Sequence, residues 1–347
     1  MRVAKRRAQK ALAILKDLGL LDRELKPRRE GDLVLLPLLR DPSDQELEFL
    51  RQEVGDIEIS EADFPVREKP RSLLDLLSTS LPPDALEKAP RSFDIIGDIA
   101  VVELEPELWP YASTIGSAIM ALHKKVRLVL AKKGPISGDF RLRGLSPIAG
   151  SGPTETTHRE HGCFFRLDVA RVYFSPRLSY EHARVASQAH DGELVVDMFA
   201  GVGPFPILMA KQKALMAYAV DLNPVAFHYL TLNVVLNRVR GKVVPLLADA
   251  RSLAEGGLPG LADRVVMNLP ERAHEFLEAA CTILRPEGGT IHFYTFAGGS
   301  SPELEAIERL REGVRRAGRS VRRILLVRKV RAVAPFRWQI VVDAEVV

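Results

Sequence analysis

Asparagine stands at only four of the 347 positions, 223, 233, 237 and 268, and glutamine is scarce, while arginine and glutamate abound. That balance is the composition expected of a heat-adapted protein. Cysteine occurs only at 163 and 281, which excludes a disulfide framework and fits a reducing compartment. No apolar run approaches the roughly 20 residues needed to cross a bilayer. The N-terminal stretch "MRVAKRRAQKALAILKDLGLLD" carries charges through its apolar part and lacks a cleavage-site pattern. A cytoplasmic protein without a membrane partner is expected. No internal repeat and no low-complexity linker interrupt the chain, and the rest reads as an ordinary globular monomer. With 46% hydrophobic and 27% charged residues, it can form two or three domains.

The net charge of +4 is modest but unevenly placed. Residues 1 to 40 hold 11 Lys and Arg against 5 Asp and Glu, whereas residues 41 to 64 hold 1 against 9. A second basic concentration, "ERLREGVRRAGRSVRRILLVRKVR", spans 308 to 331, and basic pairs stand at Lys124-Lys125, Lys132-Lys133 and Arg141/Arg143. Clusters of this kind suit a phosphate-bearing partner, although solvated arginines on helix faces would account for many of them.

Residues 4 to 18 have helical periodicity; "DLVLLPLL" and "GDIEIS" read as strands, making a small module over 1 to 70. From 71 to 167, "SFDIIGDIAVVELE" reads as two strands around a turn, "TIGSAIMALHK" as a helix, and "KVRLVLAKKG" and "CFFRLDVARVYF" as strands. This is a second α+β module. From 168 to 347 the pattern alternates: strands "ELVVDMF", "AYAVD", "KVVPLLAD", "RVVMNL" and "TIHFYTF" are separated by helical stretches at 204–212, 224–236, 272–284 and 302–317. Such alternation predicts a parallel sheet covered on both faces. Two long strands joined at Ala334-Pro335 follow. Five βα units closed by an antiparallel hairpin form the Rossmann-like α/β arrangement of class I S-adenosylmethionine-dependent methyltransferases.

In such sheets ligands bind at the carboxyl ends of the strands, beside the topological switch point. The first βα turn, "DMFAGVGPFPI", has Gly201 and Gly203 but lacks the third glycine of a dinucleotide fingerprint, which weakens a pyrophosphate reading. Asp197 at the strand end is placed to compensate the ammonium of a methionine moiety. Asp221, twenty residues past Gly201, is placed to accept from ribose hydroxyls. Asp249 can accept from an adenine amine. Phe199 and Ala200 in the turn, Leu222, Ala250 and Asn268 complete the expected cofactor set. Taken singly, Asp221 could instead cap the helix that begins at Asn223-Pro224.

Strand four ends in Asn268-Leu269-Pro270, which puts an amide at the reaction centre. The motif is related to the Asn-Pro-Pro-aromatic motif of methyltransferases acting on planar amino nitrogens, but Glu271 replaces the stacking ring. It could also be only the turn that ends a strand. Together, "VYFSPRLSYEHARV" (172–185), "VVDMFAGVGPFPILMA" (195–210), "AVDLNP" (219–224) and "NLPERAHEFL" (268–277) resemble the archaeal and eukaryotic-type tRNA guanine-N1-methyltransferases. The resemblance extends to "FRLRGLSPIAGSGPTETTHREHG" (140–162) and "VRAVAPFRWQIVVD" (330–343). It implies methylation of guanosine 37 of tRNA, an N-terminal domain at the tRNA elbow, a middle domain at the anticodon stem-loop and a C-terminal methyltransferase domain.

Guanine N1 is protonated at neutral pH, so methylation requires a base and a donor to O6. The resemblance implies that Glu181 is the base. It puts an arginine at O6, either Arg141 or Arg143, with Asn268 donating to O6, Pro270 holding Asn268 in place and Tyr173 packing near the flipped base. His182 departs from the arginine often found after that glutamate. His158, His161 and Cys163 have a metal-like spacing, but no fourth ligand is apparent and no metal is expected.

Overall fold

The computed structural model describes residues 1–66, 72–137 and 142–347, without side chains over 135–143. By internal contacts the chain divides into two units, Met1–Leu76 and Leu77–Val347.

The first unit holds a four-stranded antiparallel sheet with Arg2–Ala4 at an inner position, paired with Leu33–Leu35 and Ile57–Glu58. The segment 4–18, whose periodicity predicts helix, leaves the Arg2–Ala4 strand at Ala4, makes one 3-10 turn at Lys5–Arg7 and continues as the helix Ala8–Asp17. Its Ala11 and Leu15 pack on Val3, Leu20, Leu36 and Leu50. The acidic stretch contains a helix, Asp44–Val54, started by a capping box: the Ser43 side chain accepts from the Glu46 backbone, and the Glu46 carboxylate accepts from the Ser43 N–H.

In the second unit a four-stranded sheet runs in the order Asp94–Ile96, Ile99–Val102, Leu128–Ser137, Leu142–Gly150, with Ala112–Leu122 as its crossover helix. The larger sheet has seven strands: β1 (Leu194–Asp197), β2 (Met216–Asp221), β3 (Lys242–Leu247), β4 (Arg264–Met267), β5 (Gly289–Gly298), β6 (Val321–Ala334) and β7 (Arg337–Val346). Their order is β3-β2-β1-β4-β5-β7-β6. The first five are parallel, and β7 and β6 close the edge antiparallel. The helices that accompany it include α1 (Ser179–Gln188), α2 (Pro204–Gln212), α3 (Pro224–Asn237), α4 (Leu277–Ile283) and α5 (Pro302–Arg316), with a short helix at Ser252–Gly256 between β3 and β4. The chain turns from β1 toward β2 and β3, then returns past β1 to β4. The switch point therefore opens at the carboxyl ends of β1, β2 and β4.

Three of the four asparagines hold this frame together. Asn223 caps α3 by accepting from the Val225 N–H at 2.9 Å. Asn237 and Asn233 each bond both backbone groups of one residue, Phe164 and Arg166, in the strand Cys163–Asp168. That strand is pinned to α3 as if by a neighbouring strand, which satisfies an edge that would otherwise be unpaired. Among the described residues no helix is long and apolar enough to cross a membrane.

Candidate active site

A cavity of about 340 Å³ opens at the switch point, within the range of small-molecule sites. Phe199, Gly201, Asp221, Leu222, Asp249, Ala250, Asn268 and Pro270 line it. Asp221 accepts from the N–H groups of Gly201 (2.7 Å) and Asn223 (2.8 Å), which fixes its carboxylate across the turn. The helix cap is Asn223 rather than Asp221, and Asp221 lines the cavity. Burial pushes its carboxyl up from the ordinary value. Asp249 is held by its neighbour: Arg251 donates to it from Nη2 at 2.7 Å and Nε at 3.1 Å. That pairing holds its carboxyl below the usual range.

Ala200 and Gly203 belong to the same turn but do not line the cavity. Ala200 is buried, and its N–H donates to the Val220 carbonyl at 2.8 Å. Gly203 has φ +94°, and a Cβ there would come within 2.6 Å of Leu230 and 2.7 Å of Ile207. Its glycine is explained by backbone conformation and helix packing rather than by approach of a ligand.

Asp197 lies beneath the turn, fully buried, with Oδ1 accepting from the Phe199 N–H at 3.2 Å. Its Oδ2 is buried without a protein partner. Desolvation pushes its pKa up to about 7, with the charge of Asp221 adding to the rise. Asp197 itself does not line the cavity, but its neighbours Met198 and Phe199 do, and a buried carboxylate oxygen lacking a protein partner there fits the cationic methionine end of S-adenosylmethionine. Because the folded pKa lies above the unfolded value, stability falls as pH climbs from about 3.8 to about 7 and is then level. Asp197→Asn removes that loss. Its stability advantage over the parent should grow by about 2–3 kcal/mol between pH 5 and pH 8. Thermal melts of the cofactor-free protein at both pH values test this; a pH-independent difference would mean that another cation holds Asp197 ionised.

At the end of β4 the Asn268-Leu269-Pro270 turn is tied to β5, because the Phe296 N–H donates to the Pro270 carbonyl at 3.1 Å. Gln339 on β7 donates from Nε2 to Asn268 Oδ1 at 3.2 Å. Its own Oε1 accepts from Arg331 Nε at 2.9 Å, which fixes which end of the Gln339 amide faces Asn268. The Asn268 oxygen is therefore engaged, and Asn268 lines the cavity. Arg331 also donates to the Tyr173 hydroxyl at 3.0 Å and to Ser175 Oγ at 3.2 Å. Arg331 and Gln339 join the site through strand pairing, which motif reading does not reach.

Tyr173, Phe296 and Arg331 also line a second cavity of about 450 Å³. Its other walls include Asp94, Glu103 and Lys132 from the smaller sheet and Arg177 and Arg337 from the larger domain. Two cavities thus adjoin, one built from strand ends and the other wide and charged.

Glu181 lines neither. It is 1% exposed on α1, where Tyr294 donates to it at 2.9 Å and Arg184 at 2.9 and 3.0 Å; Arg328 of β6 forms a close ion pair with its other oxygen. Arg184 continues to Asp343, which accepts from His292 at 2.7 Å and is held well below the usual carboxylate range by these partners against its burial. The Glu181 donor Tyr294 shares a face of β5 with Phe296, two residues on, which lines both cavities. Arg141 lies outside the described residues, and Arg143 falls within Leu142–Gly150, where only the backbone is described. His158 accepts from the Gly97 N–H, His161 contacts Ser179, and Cys163 is in the core, so the three serve separate structural contacts. His182 is buried, with its Nδ1 hydrogen-bonded to Glu160 Oε1 at 2.6 Å.

The TRM5/TYW2 methyltransferase domain family matches residues 156–322, the TYW2 N-terminal domain residues 73–154 and the tRNA methyltransferase 5 N-terminal domain residues 1–46. The chain is 43% identical over 331 residues to the tRNA (guanine(37)-N(1))-methyltransferase Trm5b of Pyrococcus abyssi, covering 95% of this chain and 93% of that protein. It is 35% identical over 251 residues to a tRNA(Phe) (4-demethylwyosine(37)-C(7)) aminocarboxypropyltransferase of Methanocaldococcus jannaschii, covering 72% and 96%. A solved complex of aTrm5 and tRNALeu superposes with a TM-score of 0.68 at 30% identity, covering 99% of this chain and 98% of that one. The chain belongs to the Trm5 family of tRNA methyltransferases.

Proposed function

We propose that the protein transfers a methyl group from S-adenosylmethionine to N1 of guanosine 37 of tRNA. The observation that carries this reading is the Asn268 amide, whose oxygen is occupied by Gln339 and which lines the cofactor cavity next to the wider one, leaving its N–H groups as the donors available there. A donor there suits guanine O6, where charge develops as N1 loses its proton. Asp221 would hold the ribose of the cofactor, and the buried Asp197 beneath the turn would compensate the charge of its ammonium. The cofactor supplies an electrophilic methyl on a positively charged sulfur. Transfer of that methyl to N1 would require the N1 proton to pass to a base.

The wider cavity receives guanine extruded from the anticodon loop, with Tyr173 and Phe296 at the boundary between the two sites. Pro270 keeps the amide in place through its carbonyl bond to β5. Glu181 is the proposed base. It must exchange Arg328 for the guanine N1–H, and Arg328, on a partly exposed strand, can turn to a tRNA phosphate as it does so. Arg141 or Arg143 completes the O6 environment. Residues 1–70 contact the tRNA elbow, 71–167 the anticodon stem, and 168–347 carry the chemistry.

A second reading, aminocarboxypropyl transfer to the same tRNA position, is favoured by the match of residues 73–154 and by relatives of that activity. Against it, the Trm5b alignment spans 95% of the chain and residues 1–46 match the Trm5 N-terminal domain. Nucleoside mass spectrometry on a guanosine-37 tRNA, with the donor labelled at methyl or at carboxyl, separates the two. The expected product is 1-methylguanosine carrying only the methyl label. Carboxyl label in the product would favour the second reading; no transfer, or equal transfer to adenosine-37 tRNA, would refute the first.

A further inference from the structure

The hairpin of β6 and β7 turns at Pro335-Phe336, between the paired residues Ala334 and Arg337. Phe336 has φ +56°, a conformation that favours Gly or Asn and penalises an aromatic residue. It is also 79% exposed, the most exposed large apolar residue among those described. Strain and exposure together are unfavourable for the free protein, so a partner is the natural source of compensation. The tip is firmly placed. Gly298 of β5 pairs with Arg337, and a Cβ at Gly298 would lie 2.9 Å from the Phe336 carbonyl, so glycine lets the turn seat against β5.

The neighbourhood specifies what the partner is. Phe336 lines a shallow cavity of about 310 Å³ together with Phe296, Pro270 and Arg337. Phe296, Arg337 and Ala334 also line the wide cavity assigned to the guanine. Arg337 lies 5.4 Å over the Phe296 ring, and Arg331 is in the same wall, so the rim is cationic and aromatic. Extruding a base exposes a face of each flanking base, and an aromatic ring accepts such a face whatever the base identity.

We propose that Phe336 is a stacking platform for a nucleotide flanking the extruded guanosine, and thereby a positioning residue for tRNA; this rests on the tRNA-methylating reading above. Stacking of one base on an aromatic ring corresponds to about tenfold to a hundredfold in binding. Phe336→Gly is the informative variant because it relieves the turn while removing the ring. It should melt no lower than the parent and bind S-adenosylmethionine equally, yet lose about tenfold or more in kcat/KM for tRNA. Phe336→Trp should restore it. Transcripts abasic at position 36 or 38 complete the test: at one of them the parent should lose a similar factor, and Phe336→Gly should lose nothing further. Parent-like kcat/KM in Phe336→Gly, or fully additive losses at both abasic positions, would overturn the platform. A parent protein that methylates no guanosine-37 tRNA would instead refute the underlying function.

Discussion

Glu181→Gln should slow methyl transfer in a single-turnover assay by about 10²- to 10⁴-fold, the range expected when a general base is removed. The substitution keeps the shape of the side chain. Arg184 retains its pair with Asp343, so the fold of α1 should survive. Cofactor affinity should stay within about twofold of the parent, because Glu181 touches no part of the cavity lined by Asp221 and Asn268. The prediction is demanding, because the structure shows Glu181 in an ionic cluster and not at the cavity wall. Removing one partner of a buried charge cluster typically costs about 3–5 kcal/mol, so a purely structural role would appear as a large drop in melting temperature. A catalytic role appears as a rate loss out of proportion to any change in stability. If the single-turnover rate fell less than tenfold while the melt fell sharply, Glu181 would be an anchor for α1 and the base would have to be sought among carboxylates lining the wider cavity.

The methyltransferase sheet was legible because parallel strands covered on both faces leave short continuous apolar runs, each ending in a polar residue at the ligand edge. Asp197, Asp221 and Asn268 mark those ends, and Asn223-Pro224 marks the start of the helix after β2. Within the first unit the signals were weaker. Arg2–Ala4 is too short to show a period of two, and the helix Asp44–Val54 buries only Leu50 and Val54, leaving the Ser43 to Glu46 capping pattern as its main mark. The partners of the site residues were not legible. Arg331 and Gln339 meet through antiparallel pairing between β6 and β7, and the bulges in β6, one between Lys329 and Arg331, break the alternation that would assign faces. Glu181 was placed on its helix by the motif, but its contacts with Arg328, Tyr294 and, through Arg184, Asp343 come from three separate strands of the sheet. Gly203 shows the converse: a glycine in a cofactor-like turn was required by Leu230 and Ile207 behind it.

Asn268→Ala should lower the same single-turnover rate by about 10²- to 10³-fold, the usual effect of deleting one donor to a developing oxyanion. Two features of the structure make the test sharper than deletion alone. The Asn268 oxygen accepts from Gln339, so Asn268→Asp preserves that bond while replacing the donor with a second acceptor. Its negative charge would oppose charge growing on O6, and it should be at least as impaired as the alanine variant. Gln339→Leu leaves Asn268 in place but frees its amide to rotate. A loss of about tenfold is expected there, smaller than for Asn268→Ala, because the donor remains but is correctly oriented only part of the time. Combining Gln339→Leu with Asn268→Ala should cost little more than Asn268→Ala alone, since Gln339 acts through the amide. Were the losses to multiply instead, Gln339 and Arg331 would be contacting the nucleotide directly, and the orientation of Asn268 would have to come from the Leu269-Pro270 turn.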